Sequence, residues 1–524
     1  MRKIFIYLLL LPLFSCDDFL TVESENDVTY VNYFKTESDV EAVIINMMAS
    51  EIRGWGPKIL VNISLQDIAA LPCDDFYNEK ERNLESSVFM NPNRMDSWGG
   101  LYSIIGNADM LIDNAYRFEG ITQERKEFWL AQANFMKALS YFEIACKWGD
   151  APIPPSSTAK DPIVKSPAKA VLEKAIECAE EALVLPTYDK LVNSKGSELT
   201  SKQYASIGTV KTLLANIYAW MGGLYGENAY WEKAEQYASD VIDGKCGFYK
   251  LEPDVASLLT KTLGRGRVSD ETIFAIEVTE KDFNYARHSL MWYLYPGIAL
   301  NTYPYFDSRP DQVENIGSMT ARISVETVNE MFPEEEDVRR DSFWYNLGKV
   351  SYWKITGWDD EGKPVDSVEI VSDYAFFYKW HDVIRTTDVL NEGEIENVEG
   401  NRVIWRLADL KLLRAECRAR LKMSTAVDDL NDVRKRAGLS EYTGSSDSEV
   451  LRREIFAERD RELFGEGQRY FDIVRNGYLD KLSVAYQMLK KEDITRGALY
   501  LPVNEKAFNN NELMTQNIYW QWKK

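Results

Sequence analysis

From residue 122 to residue 242, apolar side chains recur at steps of three and four, in run after run, with alanine or glycine among them. The first run, Thr122 to Trp148, is long and is stopped by Gly149-Asp150-Ala151-Pro152, a glycine followed by a proline. Ser166-Pro167 then reads as an N-cap with proline at the first helical position. Val171, Leu172, Ala175, Ile176, Ala179 and Leu183 line one face behind it. Ile207, Val210, Leu214, Ile217, Tyr218 and Met221 line the next helix, and Trp231, Ala234, Tyr237, Ala238, Val241 and Ile242 the one after. A helix with a single apolar face cannot bury it alone, and the small residues let neighbouring helices approach closely. The pattern predicts a mainly α fold, a right-handed superhelix of tetratricopeptide-like helix pairs.

Outside that stretch the character changes twice. At the start, Ser38-Asp39-Val40-Glu41 reads as a capping box opening a helix with Val40, Val43, Ile44, Met47 and Met48 at helical spacing. A second helix is expected over Ile63–Leu71, a polar loop from Cys73 to Arg94, and a third helix from about Asp96 to Arg117, with Trp98 as a packing residue. Residues 251–404 form an irregular, aromatic-rich insertion carrying short strands, of which Thr272–Val278 is the clearest. Gly264-Arg265-Gly266-Arg267 lacks the context of a dinucleotide site and is read as a turn, and Asp388–Asn401 as a solvated loop whose acidic spacing fits no EF-hand. Helix resumes at Val403. Leu407, Leu410, Leu413, Cys417 and Leu421 make one stripe; Ala426, Leu430, Val433 and Ala437 make another, closed by Gly438. A third helix runs from about Asp447 to Phe464, and Leu499–Val503 is extended. The expected organisation is one domain over 36–524, with helical repeats (36–250), a variable region (251–404) and C-terminal helices (405–524).

The first fifteen residues do not belong to that fold. Arg2 and Lys3 precede the apolar run Ile4–Phe14, too short for a membrane anchor, so 1–15 reads as a signal peptide. Cys16 follows Ser15 and resembles the acylated cysteine of a bacterial lipobox, with 16–35 as a lipidated tether beginning Asp17-Asp18. The net charge is -22, and losing Arg2 and Lys3 with the leader makes it -24. Nucleic acid is excluded as a partner on that charge, since phosphates would be repelled. The remaining cysteines, Cys73, Cys146, Cys178, Cys246 and Cys417, are an odd number with no CxxC pair; Cys146, Cys178 and Cys417 sit in apolar helical patterns as small hydrophobes.

The sequence offers little catalytic chemistry. There are two histidines, His288 and His381, and no metalloprotease, nucleophile-elbow or phosphate-loop pattern. A glycosidase needs only two carboxylates, which 83 acidic residues would supply by chance. Arg459, Arg461 and Arg469 interleave with Glu458, Asp460, Glu462, Glu466 and Asp472, a cluster read as structural ion pairs. Aromatic density says more. One run holds Trp292, Tyr293, Tyr295, Tyr303, Tyr305 and Phe306; a second Phe343, Trp344, Tyr345, Tyr352, Trp353 and Trp358; a third Tyr374, Phe376, Phe377, Tyr378 and Trp380. Sugar rings stack their C–H faces on such side chains. The third run reads as a packed strand, whereas for the first, a sugar platform and a satellite core under long loops both stand.

The stretch Arg459-Asp460-Arg461-Glu462-Leu463-Phe464-Gly465-Glu466-Gly467-Gln468-Arg469-Tyr470-Phe471-Asp472-Ile473-Val474-Arg475 resembles the signature of the SusD/RagB family, outer-membrane nutrient-uptake lipoproteins of the Bacteroidetes. Trp405–Leu439, Leu501-Pro502 through Trp520, the helix ending at Trp148-Gly149-Asp150-Ala151-Pro152, and the Cys16–Leu20 start are similar to the same family. The resemblance implies a non-enzymatic, surface-exposed lipoprotein, bound to the outer membrane by its lipid. It would capture an oligosaccharide, or a peptide in some members, and pass it to a SusC-like TonB-dependent outer-membrane transporter. From the residues themselves no cofactor and no metal site is expected. The ligand patch that the resemblance implies, carried onto this chain, is Asp74, Asp75, Tyr77, Asn78 and Arg82, with Trp292, Tyr293, Tyr295, Tyr303 and Tyr305 and the glycine-flanked Trp55. A lipid-anchored glycoside hydrolase is the rival from another class.

Overall fold

In the computed structural model the residues described are 34–52, 97–199, 202–277, 323–373, 375–385, 395–482, 489–509 and 511–521. The amphipathic runs form helices α1 (Glu37–Ile52), α2 (Gly99–Asp113), α3 (Gln123–Trp148), α4 (Ala168–Glu181), α5 (Ile207–Tyr225) and α6 (Asn228–Ile242). From α2 to α6 each helix packs on the next, which is the stack of helix pairs expected from the spacing. Small residues set the separations. A methyl on Gly222 would strike the indole of Trp231, and one on Gly223 would strike the backbone carbonyl of Arg475.

Three helix starts show how the caps work. Thr122 caps α3 as expected, its hydroxyl accepting from Arg125 N. At α1 the capping box lies two residues earlier than the sequence suggested. Thr36 Oγ1 accepts from Asp39 N at 3.3 Å and the Asp39 carboxylate accepts from Thr36 N at 2.7 Å. Glu41 is used instead for tertiary contacts, accepting from Ser194 Oγ at 2.5 Å and Tyr204 Oη at 3.0 Å. Ser166 does not cap α4 either: its backbone bridges Ala151, and the Asp150 carboxylate accepts from Ala168 N at 2.8 Å. Gly149 ends α3 at φ +74°, where glycine is the residue with least strain.

The insertion carries β1 (Thr272–Ile276), α7 (Val325–Met331), α8 (Val338–Phe343), β2 (Ser351–Trp358), β3 (Pro364–Val371), β4 (Val383–Arg385) and β5 (Ile395–Val398). Beyond it lie β6 (Arg402–Arg406), α9 (Leu407–Arg420), α10 (Asp428–Arg436), α11 (Ser448–Glu462) and α12 (Arg469–Asn476). Among the described residues the strands make three two-stranded antiparallel sheets, β1–β6, β2–β3 and β4–β5.

Here the structure corrects three expectations. Helix does not resume at Val403, because Val403, Ile404 and Trp405 suit an extended, buried strand and pair with β1, Thr272 opposite Arg406 and Ile276 opposite Arg402. Part of the supposed loop 388–401 is strand β5. The described part of the third aromatic run is packed but is not a strand: Phe376 and Phe377 are buried, and Phe377 makes a single isolated bridge, to Trp344. The expected turn at 264–267 stands, as do Gly438 at φ +84° and the buried, unpaired Cys146, Cys178 and Cys417; Cys246 is also buried and free. The expected helix 63–71 and loop 73–94 lie outside the described residues.

Three apolar clusters hold these parts. The largest runs through α1–α6 and takes in β1, β6 and the C-terminal segment, which Leu501 pins by donating to Lys147 O at 2.8 Å. Another joins α9, α10 and α11. A further one gathers Phe343, Trp344, Phe377 and Phe464, with Trp344 and Phe464 ring centroids 5.1 Å apart.

Candidate functional site

Charge is concentrated where α11 meets the insertion. One turn apart on α11, Glu458 and Glu462 point inward, and the loop after it, turned by Gly465 (φ +82°) and Gly467 (φ +79°), brings in Glu466. Arg406, at the junction of β6 and α9, reaches Glu462 at 2.6 Å, Glu466 at 2.7 Å and Glu271 at 2.8 Å. Arg436, at the end of α10, pairs with Glu462 and with Glu271. Asp337 caps α8 and holds Arg339, which extends to Glu458 at 2.7 Å and Glu462 at 3.1 Å. Lys379 meets Glu466 at 2.5 Å and donates to the carbonyls of Glu462 and Phe464. Arg461 pairs with Glu458 at 2.7 Å. Five cations thus face five carboxylates, Asp337, Glu271, Glu458, Glu462 and Glu466.

Their environment fixes what they can do. Burial alone would push the Glu462 carboxyl up, but Arg436, Arg406, Arg339 and Lys379 outweigh it and hold the group well below the usual range. Glu458 and Glu466 are lowered in the same way. Burial lowers the Lys379 ammonium to about 8, with Glu466 pulling the other way. A general acid must be protonatable and reachable, and Glu458 and Glu462 are held ionised by their cations and buried. His381 does not join them; it stacks on Tyr378 at 4.4 Å. Among the described residues no cluster of His, Cys, Asp and Glu could hold a metal.

A second network explains the rest of the Arg459–Arg475 run. Arg459 holds Asp409 and Asp472, each at 2.7 Å, and Arg475 holds Glu416 and Asp472, each at 2.6 Å. This network ties α11 and α12 to α9. The run is structural, as its charge pattern suggested.

The sequence-derived ligand residues Trp55, Asp74, Asp75, Tyr77, Asn78, Arg82, Trp292, Tyr293, Tyr295, Tyr303 and Tyr305 lie outside the described residues, as does Cys16. The described residues do show where the chain leaves for those segments. The first departs from the C-terminal end of α1, at Ile52, and returns at Trp98, which is buried against Tyr102 and Trp148 with centroids 5.7 and 5.9 Å away. The second departs after Glu277, whose N–H donates to Gln203 at 3.3 Å; the next residue, Tyr204, is bound to Glu41 on α1. The first segment thus leaves from the end of α1 and the second from the end of β1. Arg125 and Trp129 of α3 fix that helix by donating to Glu37 at 2.6 and 2.9 Å.

The second aromatic run divides. Phe343 and Trp344 are core, whereas Trp358, at the end of β2, is 61% exposed. A sequence signal for this existed: Asp359-Asp360-Glu361-Gly362 directly after Trp358 marks a hairpin tip. A cavity of about 30 Å³ beside Phe142, Asn216, Trp220, Trp405, Gln468 and Arg475 is of water size, too small for a sugar ring. No helix among the described residues is long and apolar enough to cross a membrane.

Comparison with known proteins agrees with this architecture. Residues 318–520 match the family model described as the SusD family, a span that contains both charge networks' α11 and α12. A SusD-like protein P25 of Formosa agariphila is 23% identical over 515 residues, covering 91% of this chain and 90% of that protein. Among solved structures, a SusD homolog of Bacteroides thetaiotaomicron superposes with a TM-score of 0.71 at 22% identity, covering 93% of this chain and 100% of the other. B. fragilis NanU does so at 0.67 and 19%, covering 95% and 100%.

Proposed function

The chain is a SusD-like family member, and on that premise we propose that it is a surface-exposed, lipid-anchored capture protein that binds an oligosaccharide and delivers it to a SusC-like TonB-dependent transporter. The observation that carries the reading is the fold, shared with SusD homologues over nearly the whole chain. Cys16 supplies the anchor, its acyl chains holding the domain at the outer membrane. The ligand patch comprises Asp74, Asp75, Tyr77, Asn78 and Arg82 from the segment after α1 and Trp292, Tyr293, Tyr295, Tyr303 and Tyr305 from the segment after β1, with Trp55 also in the first. Aromatic faces would take the C–H faces of the sugar, and the carboxylates, amide and guanidinium its hydroxyls. No catalytic step is assigned. The carboxylate cluster at Glu462 is consumed by its own cations, which supports binding without turnover.

The test is binding of the mature chain to a panel of soluble polysaccharides and peptides, with product analysis in the same tubes. Affinity for one glycan class with no cleavage is the expected result, and Trp292→Ala with Tyr295→Ala should weaken it at least tenfold. Cleavage would replace the reading with a hydrolase, and binding confined to peptides would change the ligand class. Cys16→Ala should release the protein from the membrane fraction.

A further inference from the structure

We propose that the cavity where α3, α5, β6 and the start of α12 meet is a binding site for ordered water, which hydrogen-bonds the helical stack to the C-terminal helices. The inference is independent of the capture function proposed above.

The joint around the cavity is tight. A methyl on Gly223 of α5 would strike the backbone carbonyl of Arg475 on α12. Arg475, on the cavity wall, is committed to Glu416 and Asp472, each at 2.6 Å. The space left is about 30 Å³, room for about one or two waters. Three side chains around it have hydrogen-bonding capacity to spare. Trp220 is 2% exposed, and its Nε1 meets no acceptor among the described residues. Asn216 donates from Nδ2 to Thr212 O at 2.9 Å, which leaves its Oδ1 to accept. The Gln468 amide, which does not cap α12, brings both a donor and an acceptor. A buried donor without an acceptor is costly, and buried polar groups find partners in protein or in ordered water.

Charge and size select the occupant. The wall carries both Glu143 and Arg475, so a cation would meet the guanidinium and an anion the carboxylate. A neutral molecule avoids both. It must accept from Trp220, donate to Asn216 and fit the space, and water does all three. Cavities that stay dry are apolar throughout, and this one is not. The bridge ties α5 to α12 beside Arg475, and so extends the network of Glu416 and Asp472 into the helical stack.

The experiment records water contacts in the mature chain labelled with nitrogen-15 at its tryptophan indoles, the signals assigned from Trp220→Phe and Trp344→Phe. Trp344 is the control within the same molecule. Its Nε1 is also buried without an acceptor, but the ring is packed among Phe343, Phe377 and Phe464. The Trp220 N–H should show a rotating-frame cross-peak to water of dipolar sign, and the Trp344 N–H none. Asn216→Leu combined with Gln468→Leu, both at partly exposed positions, should abolish the Trp220 cross-peak. In a crystal of the parent chain, which depends on no variant folding, a water should lie within hydrogen-bonding distance of Trp220 Nε1. Absence of both the cross-peak and the density would overturn the proposal. An equal cross-peak at Trp344 would place water at buried indoles in general and remove the case for a built site. Density for an ion or a buffer molecule would replace the occupant, and a cross-peak surviving in the double variant would show that the two amides do not hold the water. Each of these results leaves glycan binding untouched.

Discussion

At the scale of single residues, the molecule depends on charges it has buried. Glu462 accepts from Arg406, Arg436 and Arg339, so replacing it by glutamine leaves three guanidiniums short of a counter-charge in a sealed interior. Breaking such a network costs about 3–5 kcal/mol. Glu462→Gln should therefore shift the urea midpoint strongly, while Glu361→Gln, on the exposed hairpin tip, should stay within about 0.5 kcal/mol of the parent. A small effect at Glu462 would mean that the pairs contribute little. The charge cluster was legible in the sequence because its signs alternate at helical spacing. Its partners Glu271, Arg339 and Arg406 were not, since they come from distant elements and no local pattern marks them.

At the scale of elements, the helices carry the clearest sequence signal, and their close contacts are the sharpest constraint. Gly223→Ala should destabilise by about 1–3 kcal/mol, because its methyl meets the immobile backbone of Arg475. Gly222→Ala should also destabilise, since there the obstacle is the indole of the buried Trp231. A Tm equal to the parent's for either variant would contradict this contact geometry. Helix positions were legible because apolar steps of three and four, sustained over several turns, put every apolar side chain on one face of a helix and on no single face of a strand. Caps were less so: Ser38 and Ser166 have the right chemistry, but Thr36 and Asp150 are placed to do the work. β6 was misread as helix because Val403–Trp405 is a short apolar run whose strand state depends on β1, more than a hundred residues away.

For the molecule as a whole, the carboxylates set the response to acid. Glu416 is buried, which alone would raise it, but Arg475 and Arg420 hold it down to about 2. Glu458, Glu462, Glu466 and Asp429 are lowered as well. A depressed folded pKa contributes stability that is complete above the unfolded value, about 4.5, and is lost as pH falls through the folded one. Asp109 and Asp409, raised by burial, work in the opposite direction but are fewer. Stability should be level from about pH 7 to 5 and fall steeply from about pH 4.5 to 2. A urea midpoint unchanged at pH 3 would show that these groups do not carry the fold. The candidate ligand residues were named from aromatic density and family resemblance, and they lie outside the described residues.

The central network also dictates an order of assembly. Glu271 meets Arg406 and Arg436 across 135 and 165 residues, and Arg339 meets Glu458 across 119. Arg406 and Arg436 gain Glu462, and Arg339 gains Glu458 and Glu462, only when α11 has formed. Closing such long loops is slow, and half a network in the interior is worse than none. The charge network is therefore complete only when the C-terminal helices have joined elements laid down more than a hundred residues earlier.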